Sequence, residues 1–453
     1  MKPSAVRFEV ALASVLMAFM LYLDRVCLGE IVKSDSFRSD FNVPKEQIGN
    51  VLGAFFFSYA LAQIPAGWAS DRWGARKMLT LYIVGWSVMT ALTGLVTSLT
   101  GLLLARLACG IAQAGAYPTS GGVIRRWFPL HMRGTASSWV SFGGRVGGML
   151  APTITTLLVL VVVKQQIGSW RTVLMIYGIV GIFVAAWYWW IVRDTPDQHP
   201  RVNEEERHEI GSHLHQATNA TSPPVRFELG WILLSCLTNR SLWLSSLAQF
   251  CINAGWAFLI TWLPSYLVDQ QGVSPLTGAA MVTGVLACGL PGMLLGGWAS
   301  DKAVSRWGLR RGRIAALTAA TAMAGTSYLL CPWLDSVWLI VACCGIVSMM
   351  TDFGNPSFWA FMQDIGGRNT ATVYGWANMW GNLGASLSAF MVPQLMKLGE
   401  SSGNGQLIVF TACSGFFFLA CAASFGIDAS KPIAIPRAAF RKNRSDGTSD
   451  YPE

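Results

Sequence analysis

The chain has 453 residues, of which 53% are hydrophobic and 13% charged, and its formal net charge is +9. A soluble domain carries about 25% charged residues, so this composition excludes a soluble enzyme of this length and a long disordered protein. It indicates a helical protein that crosses a membrane several times, in which the positive charge reflects cytoplasmic loops and not nucleic-acid binding.

Twelve apolar segments are long enough to cross the hydrocarbon region of a bilayer as helices. A crossing helix needs about 20 mostly apolar residues. In chain order the segments lie near residues 8–29, 47–69, 78–98, 100–124, 134–163, 170–192, 243–268, 277–300, 314–331, 335–362, 370–396 and 406–427. We therefore predict an all-α membrane protein with twelve transmembrane helices. The first segment ends without a small-residue cleavage site, which favours a retained span over a signal peptide.

A polar stretch at 193–240 divides these spans into six and six. We predict an N-terminal six-helix half at 1–192, a cytoplasmic middle loop at 193–240, a C-terminal six-helix half at 241–430 and a cytoplasmic tail at 431–453. The middle loop holds a glutamate-rich run at 204–209 and four of the five histidines. A metal cluster is one interpretation, but we expect a solvated surface helix followed by a Ser/Pro linker, and no cofactor.

The distribution of lysine and arginine predicts the orientation in the membrane. The loops after spans 2, 4, 8 and 10 hold twelve of these residues, whereas the loops on the opposite side hold six. Lysine and arginine accumulate in cytoplasmic loops. We therefore expect a multi-pass protein of the cell (inner) membrane with both termini in the cytoplasm.

A five-residue sequence occurs twice, 230 residues apart. The first copy is Gly67-Trp68-Ala69-Ser70-Asp71 and the second is Gly297-Trp298-Ala299-Ser300-Asp301. Each copy follows the second span of its half. The repeat predicts two pseudo-symmetric halves, an arrangement typical of transporters that rock about a central site.

The first copy extends into a motif that resembles the signature of the major facilitator superfamily, Gly67-x-x-Ser70-Asp71-Arg72-x-Gly74-x-Arg76-Lys77. Further segments resemble the anion:cation symporter family, which includes bacterial sugar-acid proton symporters and the animal sialin and vesicular glutamate carriers. These segments are Tyr22-x-Asp24-Arg25, Ala105-Arg106-x-x-x-Gly110, Tyr117-Pro118, Arg126-Trp127-Phe128-Pro129, Trp170-Arg171, Phe358-Trp359-Ala360 and Asn378-x-x-Gly381-Asn382-Leu383-Gly384. The resemblance covers the whole chain.

The resemblance implies the major facilitator fold and a monomeric secondary active transporter in a lipid bilayer. Its substrate would be a small organic anion, a sugar acid or related carboxylate, carried with protons by alternating access. The alternatives are an aromatic or dicarboxylic acid or an inorganic anion as substrate, uncoupled uniport or exchange, and a sensor that does not transport. The sequence has no GxxxxGK[ST] loop or nucleophile motif, so neither an ATP-driven pump nor an enzyme is indicated.

Five charged residues lie inside the predicted spans, namely Asp24, Arg25, Arg106, Arg145 and Asp352. A charge at mid-bilayer costs about 2.5–3.5 kcal/mol on insertion scales, so such residues usually face a polar cavity or pair with one another. Asp24 and Arg25 project about 100° apart on one helix, so one can face a cavity while the other meets a neighbouring helix. Arg25 and Arg106 lie at similar depth, which suits a carboxylate held by forked N–H donors.

The resemblance assigns the coupling proton to Asp24 and places Arg106 in the substrate and coupling network. The alternatives are a structural pair of Asp24 with an arginine that only orients the first span, and a salt bridge between Arg106 and Asp24. Sugar-acid symporters of the family carry a glutamate seven residues after this arginine, where this chain has Gln113. An amide cannot carry a proton, so coupling uses Asp24 alone, changes its stoichiometry or fails, although Gln113 can still bind substrate by hydrogen bonds.

Arg145 lies within Gly143-Gly144-Arg145-Val146-Gly147-Gly148, whose paired GxxxG spacing predicts close contact with another helix. An arginine inside a span must point toward a cavity or a partner. We expect Arg145 to be either a third contact for the anion or the partner of Asp352. For Asp352, a structural role in an interhelical pair or a contact with a hydroxyl group is as well supported as a role in function.

Aromatic and amide side chains complete a cavity lining that suits a hydroxylated carboxylic acid. They are Tyr22, Tyr59, Gln63, Trp359, Asn378 and Asn382. The two asparagines could equally join helices. The loops after spans 2 and 8 are interpreted as gates, because ion pairs there would hold the halves in one state and break as the cavity switches sides. The gating residues are Asp71, Arg72, Arg76, Asp301 and Arg306.

Overall fold

The structure, a computed structural model, describes residues 3–41, 45–164, 168–211, 229–400 and 405–433. Within these ranges all regular structure is helical. The helices of the first half are α1 (Val6–Ile31), α2 (Lys45–Trp73), α3 (Ala75–Thr93), α4 in two pieces (Leu99–Ala114 and Ala116–Trp127), α5 (Arg133–Lys164) and α6 (Trp170–Ile191). Ser98 and Ser169 begin α4 and α6 by accepting hydrogen bonds from N–H groups of the first turn.

The second half repeats this arrangement. Its helices are α7 (Arg240–Thr261), α8 (275–307, interrupted after Ala287), α9 (309–330), α10 (Val337–Gly366), α11 (Thr370–Glu400) and α12 (Gly405–Phe425). Gly308 separates α8 from α9, because its φ of 77° lies in a region that side chains rarely adopt. Ser274 caps α8, and Pro275 occupies its first turn, where no N–H is needed.

These helices confirm the predicted twelve spans and their order. By length and hydropathy alone, nine helical segments of the described residues could cross a membrane. Two of the nine, Pro275–Trp333 and Val337–Leu398, each contain two of the helices named above, and α3 is the remaining span. The chain is therefore an integral membrane protein. The residue bounds assigned to its two halves stay predictions.

The apolar cores of the two halves are separate. One cluster of buried residues draws on 232–429, and two others draw on 6–202. Between the halves, α2 packs on α11 and α5 packs on α8. Each of these pairs joins the second span of one half to the fifth span of the other, as the sequence repeat implies.

The glycines of α5 bring it into backbone contact with α1. A Cβ added at Gly143 would lie 2.5 Å from the carbonyl oxygen of Val15, and one at Gly147 would lie 2.4 Å from that of Phe19. No side chain fits at these distances, so the predicted close approach of the GxxxG pair is confirmed. Arg145 lies midway between these two glycines in sequence, about 200° around the helix from each, so it projects from the opposite face.

Replacing Gly147 by valine is expected to lower the free energy of unfolding by about 1–3 kcal/mol, because the backbone of α1 must move away. The thermal midpoint of the purified protein in detergent should fall accordingly. Gly53→Val is the matched control, since a Cβ at Gly53 meets nothing within 4 Å. Equal midpoints for the two variants would contradict close α1–α5 contact.

The described part of the middle loop is packed against the first half. Glu206 is 0% exposed and accepts hydrogen bonds from the Ser4 hydroxyl at 2.5 Å and from the Val6 and Arg7 N–H groups at 3.1 Å each. A carboxylate at this position satisfies the free N–H groups at the start of α1. The expected solvated surface helix is therefore wrong for Glu206.

His199 is also buried, at 3% exposed, with its ring 5.8 Å from that of Trp127. Burial lowers the pKa of His199, and the neighbouring Arg201 and Arg193 lower it further. A neutral imidazole is therefore favoured against the indole. No group of three or more potential metal ligands occurs within the described ranges. His213, His215 and the Ser/Pro linker lie outside them.

Candidate functional site

Arg25 lies in an aromatic box in the first half. Its guanidinium carbon is 4.5 Å from the ring centroid of Tyr59, 4.9 Å from that of Tyr22 and 5.3 Å from that of Phe55. Its Nε donates to Oε1 of Gln113 at 3.4 Å. Among the described residues no carboxylate lies within ion-pair distance of Arg25, and its Nη2 has no hydrogen-bond acceptor. The arginine is thus held by ring faces and one amide, and its charge is not neutralised.

Asp24 points away from this box, as the 100° rotation between neighbouring helix residues predicts. Its side chain is 0% exposed, and neither carboxylate oxygen finds a hydrogen-bond partner in the described part of the chain. Arg106 is the cation that interacts electrostatically with this carboxylate, and it is itself only 1% exposed. The two residues therefore form a buried unit without the direct salt bridge that was one alternative. Arg106 stays a predicted ligand, but in this conformation it is out of reach of a solute.

Arg145 and Asp352 form an ion pair between the two halves. Nη2 of Arg145 on α5 lies 2.5 Å from Oδ1 of Asp352 on α10. The guanidinium also lies over Trp256 of α7, 4.4 Å from the ring centroid. Of the two alternatives for Arg145, the structure contains the pairing with Asp352.

Among the remaining predicted lining residues, Gln63, Asn378 and Trp359 make contacts between the halves. Nδ2 of Asn378 donates to Oε1 of Gln63 at 2.7 Å, across the α2–α11 contact. Asn382 donates to the carbonyl of Asn378 within the same helix, at 2.7 Å. Trp359 lies 6.4 Å from Tyr117, between ring centroids. These contacts fit both a cavity lining and the alternative in which the asparagines join helices.

Two aromatic residues of this region were missed by the sequence analysis as site residues. Tyr117 packs edge-on against Tyr22 at 6.3 Å, and a Cβ at Gly144 would lie 2.4 Å from its hydroxyl. Its spacing of four residues from Gln113 could have identified it, because such residues share a helix face. Trp256 gave no signal in the sequence beyond its place in an apolar span.

The carboxylates of the repeated motif cap helices of the opposite half. Asp71 accepts from the N–H groups of Ala371 at 3.1 Å and Thr372 at 2.8 Å, and from the Thr372 hydroxyl at 2.7 Å. Asp301 accepts in the same way from Gly134 at 3.0 Å, from the Thr135 N–H at 2.7 Å and from its hydroxyl at 2.8 Å. Each carboxylate occupies the positive end of a helix dipole. Together they close the side of the protein that carries the arginine-rich loops.

The arginines of the gating loops make other contacts in this conformation. Arg72 lies over the ring of Trp68, and Arg76 donates to the Trp189 carbonyl within its own half. Arg306 is exposed. None of these three arginines forms an ion pair with Asp71 or Asp301 in the described ranges. The helix ends take the place of those cations, because their N–H groups already supply positive charge.

Two other arginines on this side, Arg313 and Arg133, form ion pairs with aspartates. Arg313 contacts Asp301 and Asp364 at 2.9 Å each, and Arg133 contacts Asp364 at 2.8 Å. In the sequence both arginines are among the twelve positive residues that predict the orientation. The gating role of the whole group stays a prediction.

A cavity of about 430 Å³ lies beside Asp71 on this closed side. Its charged lining residues are Asp71, Arg72, Arg125, Arg126, Asp194 and Arg368. Neither Arg25 nor Arg145 lines it, so it is separate from the candidate site.

Comparison with known proteins shows the family of the chain. The sequence model of the Major Facilitator Superfamily matches residues 14–389. The chain belongs to the Major Facilitator Superfamily, and it is a transporter and not an enzyme.

Two relatives confirm the resemblance to anion carriers. The chain is 32% identical over 373 residues to the probable sulfoacetate transporter SauU of Cupriavidus necator, covering 80% of this chain and 81% of that one. It is 29% identical over 422 residues to the probable galactarate/D-glucarate transporter GudP of Bacillus subtilis, covering 90% and 89%. The crystal structure of the transporter FucP in the outward conformation matches with a TM-score of 0.68 at 14% identity, over 93% of this chain and 99% of that one. That likeness shows the fold.

Proposed function

We propose that this protein carries a small hydroxylated organic anion, a sugar acid, across the cell membrane together with protons. The observation that supports this most directly is the aromatic box around Arg25, because its positive charge has no carboxylate partner among the described residues. A substrate carboxylate would supply that partner through paired N–H···O bonds.

The cost of placing an arginine in a span supports the same proposal. Leaving Arg25 without a counter-ion is unfavourable unless a ligand visits it, since a charge at mid-bilayer costs about 2.5–3.5 kcal/mol on insertion scales. Gln113, Gln63 and Asn378 supply amide groups that can bind hydroxyl groups of the same ligand. The relative GudP is a probable transporter of galactarate and D-glucarate, which combine carboxylates with hydroxyls.

A sulfonated carboxylate such as sulfoacetate is the second candidate substrate. It is favoured by the 32% identity to the sulfoacetate transporter over 80% of this chain. A guanidinium binds either acid group through oxygen atoms. The Arg25 guanidinium therefore suits both candidates, and the transport assay must include both.

Asp71 and Asp301 each cap a helix of the opposite half, and we call these contacts the crosswise caps. In alternating access they would be the contacts that close one side. Opening that side must release both carboxylates from the helix starts that they cap. The proposal places this side, both termini and the arginine-rich loops in the cytoplasm, with the chain acting as a monomer. The positive-inside distribution of Lys and Arg supports that orientation.

Counterflow in proteoliposomes tests the transport activity. Vesicles loaded with unlabelled D-glucarate, D-galactonate or sulfoacetate should take up the same labelled acid transiently above its equilibrium level. Binding of an acid, measured as a rise in the thermal midpoint, without counterflow would instead identify a sensor. If none of the three acids is bound or exchanged, the proposal is overturned.

The crosswise caps predict an unusual pattern of hydrogen exchange. Asp301→Ala is expected to speed exchange at the start of α5 by at least about tenfold, because hydrogen bonds to a charged acceptor contribute about 1.5–3 kcal/mol each. Asp71→Ala should do the same at the start of α11. Mass spectrometry of peptides covering 134–138 and 371–375 measures both effects.

Asp335→Ala is the control for this pattern, because Asp335 is exposed in the loop after α9. It should leave both peptides unchanged. Faster exchange confined to the half that carries each substitution would contradict the crosswise arrangement.

A further inference from the structure

The ion pair of Arg145 and Asp352 lies between the halves, near the middle of the membrane. Arg145 is twelve residues from the start of α5 and Asp352 is fourteen from the end of α10. At about 1.5 Å per residue, both lie roughly 20 Å from the closed side. The Asp352 side chain is 2% exposed and that of Arg145 is 25% exposed, so one face of the arginine stays accessible.

Arg145 provides the main compensation for the charge of Asp352. The same oxygen, Oδ1, accepts from Nδ2 of Asn355 at 3.3 Å, one turn along α10. From α8, Gly289 makes room for the other oxygen, since a Cβ there would lie 2.2 Å from Oδ2. The titratable groups that face the pair from other helices are Tyr22 and Tyr117, both of which interact electrostatically with Arg145. In the described part of the chain no other cation forms an ion pair with Asp352.

Separating the halves at this level breaks the pair and leaves two unpaired charges. Breaking a buried ion pair by removing one partner is strongly unfavourable, because the other charge stays buried without compensation. Two substitutes restore the balance. An anion can take the place of Asp352 on Arg145, and a proton can neutralise Asp352.

Building on the proposed function, we propose that Asp352 is a second proton-carrying carboxylate and that the substrate displaces it from Arg145. One proton from the side of substrate entry binds the Asp352 carboxylate when the substrate carboxylate pairs with Arg145. When the substrate leaves on the other side, the proton leaves with it and the Arg145–Asp352 pair forms again. One proton thus crosses with each substrate through this pair, in addition to the one assigned to Asp24.

The proposal also accounts for Gln113, which cannot carry a proton. A carboxylate on α10 of the second half would take over the proton that an acid at position 113 would carry in the first half. Charge neutralisation at Arg145 then depends on the substrate, which links the binding of substrate and proton thermodynamically.

Counting protons taken up with the substrate tests this proposal. D-glucarate is added to purified protein in weakly buffered detergent solution, and the pH change is compared with the amount bound by calorimetry. The wild type should take up one proton more for each D-glucarate bound than Asp352→Asn does. Asp335→Asn, which alters an exposed carboxylate, should match the wild type.

The double variant Arg145→Gln/Asp352→Asn covers the case in which the single variant does not fold. It removes both charges together, which avoids an unpaired buried arginine. It should bind D-glucarate more weakly than the wild type, because Arg145 is lost, and should take up one proton fewer for each D-glucarate bound. An unchanged proton count in either variant, or unchanged affinity in the double variant, overturns the proposal. If wild-type protein shows no counterflow of D-glucarate or sulfoacetate, the proposed function fails first, and the inference fails with it.

Discussion

Replacing Arg25 by glutamine is expected to abolish measurable uptake of the substrate. The substitution removes the cation of the aromatic box while retaining a polar side chain. Loss of one partner from a hydrogen-bonded charge pair costs about 2–5 kcal/mol, which corresponds to a roughly 30-fold to several thousand-fold loss of affinity. Calorimetric titration of the variant with D-glucarate and with sulfoacetate measures the loss.

Two further variants show whether the effect depends on the guanidinium. Arg25→Lys keeps the charge but loses the forked donors and the flat surface that stacks on the rings, so it should recover only part of the affinity. Arg311→Gln removes an exposed arginine from the opposite half and should bind like the wild type. Wild-type affinity in Arg25→Gln would exclude Arg25 as the anion contact.

Replacing Asp24 by asparagine is expected to reduce pH-driven accumulation of the substrate while counterflow continues. Each coupled proton can raise the accumulation ratio about tenfold per pH unit, because one pH unit is worth about 1.4 kcal/mol. Removing the carboxyl should therefore lower the ratio at least tenfold for each pH unit imposed. Counterflow needs no net proton movement and should persist.

The surroundings of Asp24 explain why it suits this role. An ionised carboxylate without hydrogen bonds is costly to bury, whereas a protonated one costs much less. Its proton must therefore come and go as helices rearrange around Asp24 and Arg106. Accumulation ratios equal to the wild type across a proton gradient in proteoliposomes would contradict coupling through Asp24.

Much of the fold follows from the sequence, because apolar segments enter the bilayer and every backbone N–H and C=O group there must be hydrogen-bonded. Helices meet both requirements. The repeat at Asp71 and Asp301 predicts the two-fold arrangement from the sequence alone. It could not reveal that each carboxylate crosses to the other half, since identity between two segments does not say which helix end each one meets.

The sequence was less informative about partners of charged side chains. Counting Arg133 and Arg313 as loop cations fixed the expected orientation but ignored their geometry, so Asp364 was missed altogether. Glu206 was likewise treated as one of a solvated run, although the start of α1 provides free N–H groups that it satisfies. By contrast, the angle between Asp24 and Arg25 is a property of any helix, and their separate environments were therefore predictable.

The crosswise caps have a consequence for how such a protein could have originated. A polypeptide comprising only the first half would carry both the carboxylate of its second span and the uncapped start of its fifth span. Two identical copies related by a two-fold axis would satisfy each other at both places, as isologous dimers do. Gene duplication and fusion would preserve those contacts unchanged, so the paired caps of Asp71 and Asp301 are what an ancestral homodimer of half-length subunits would leave behind.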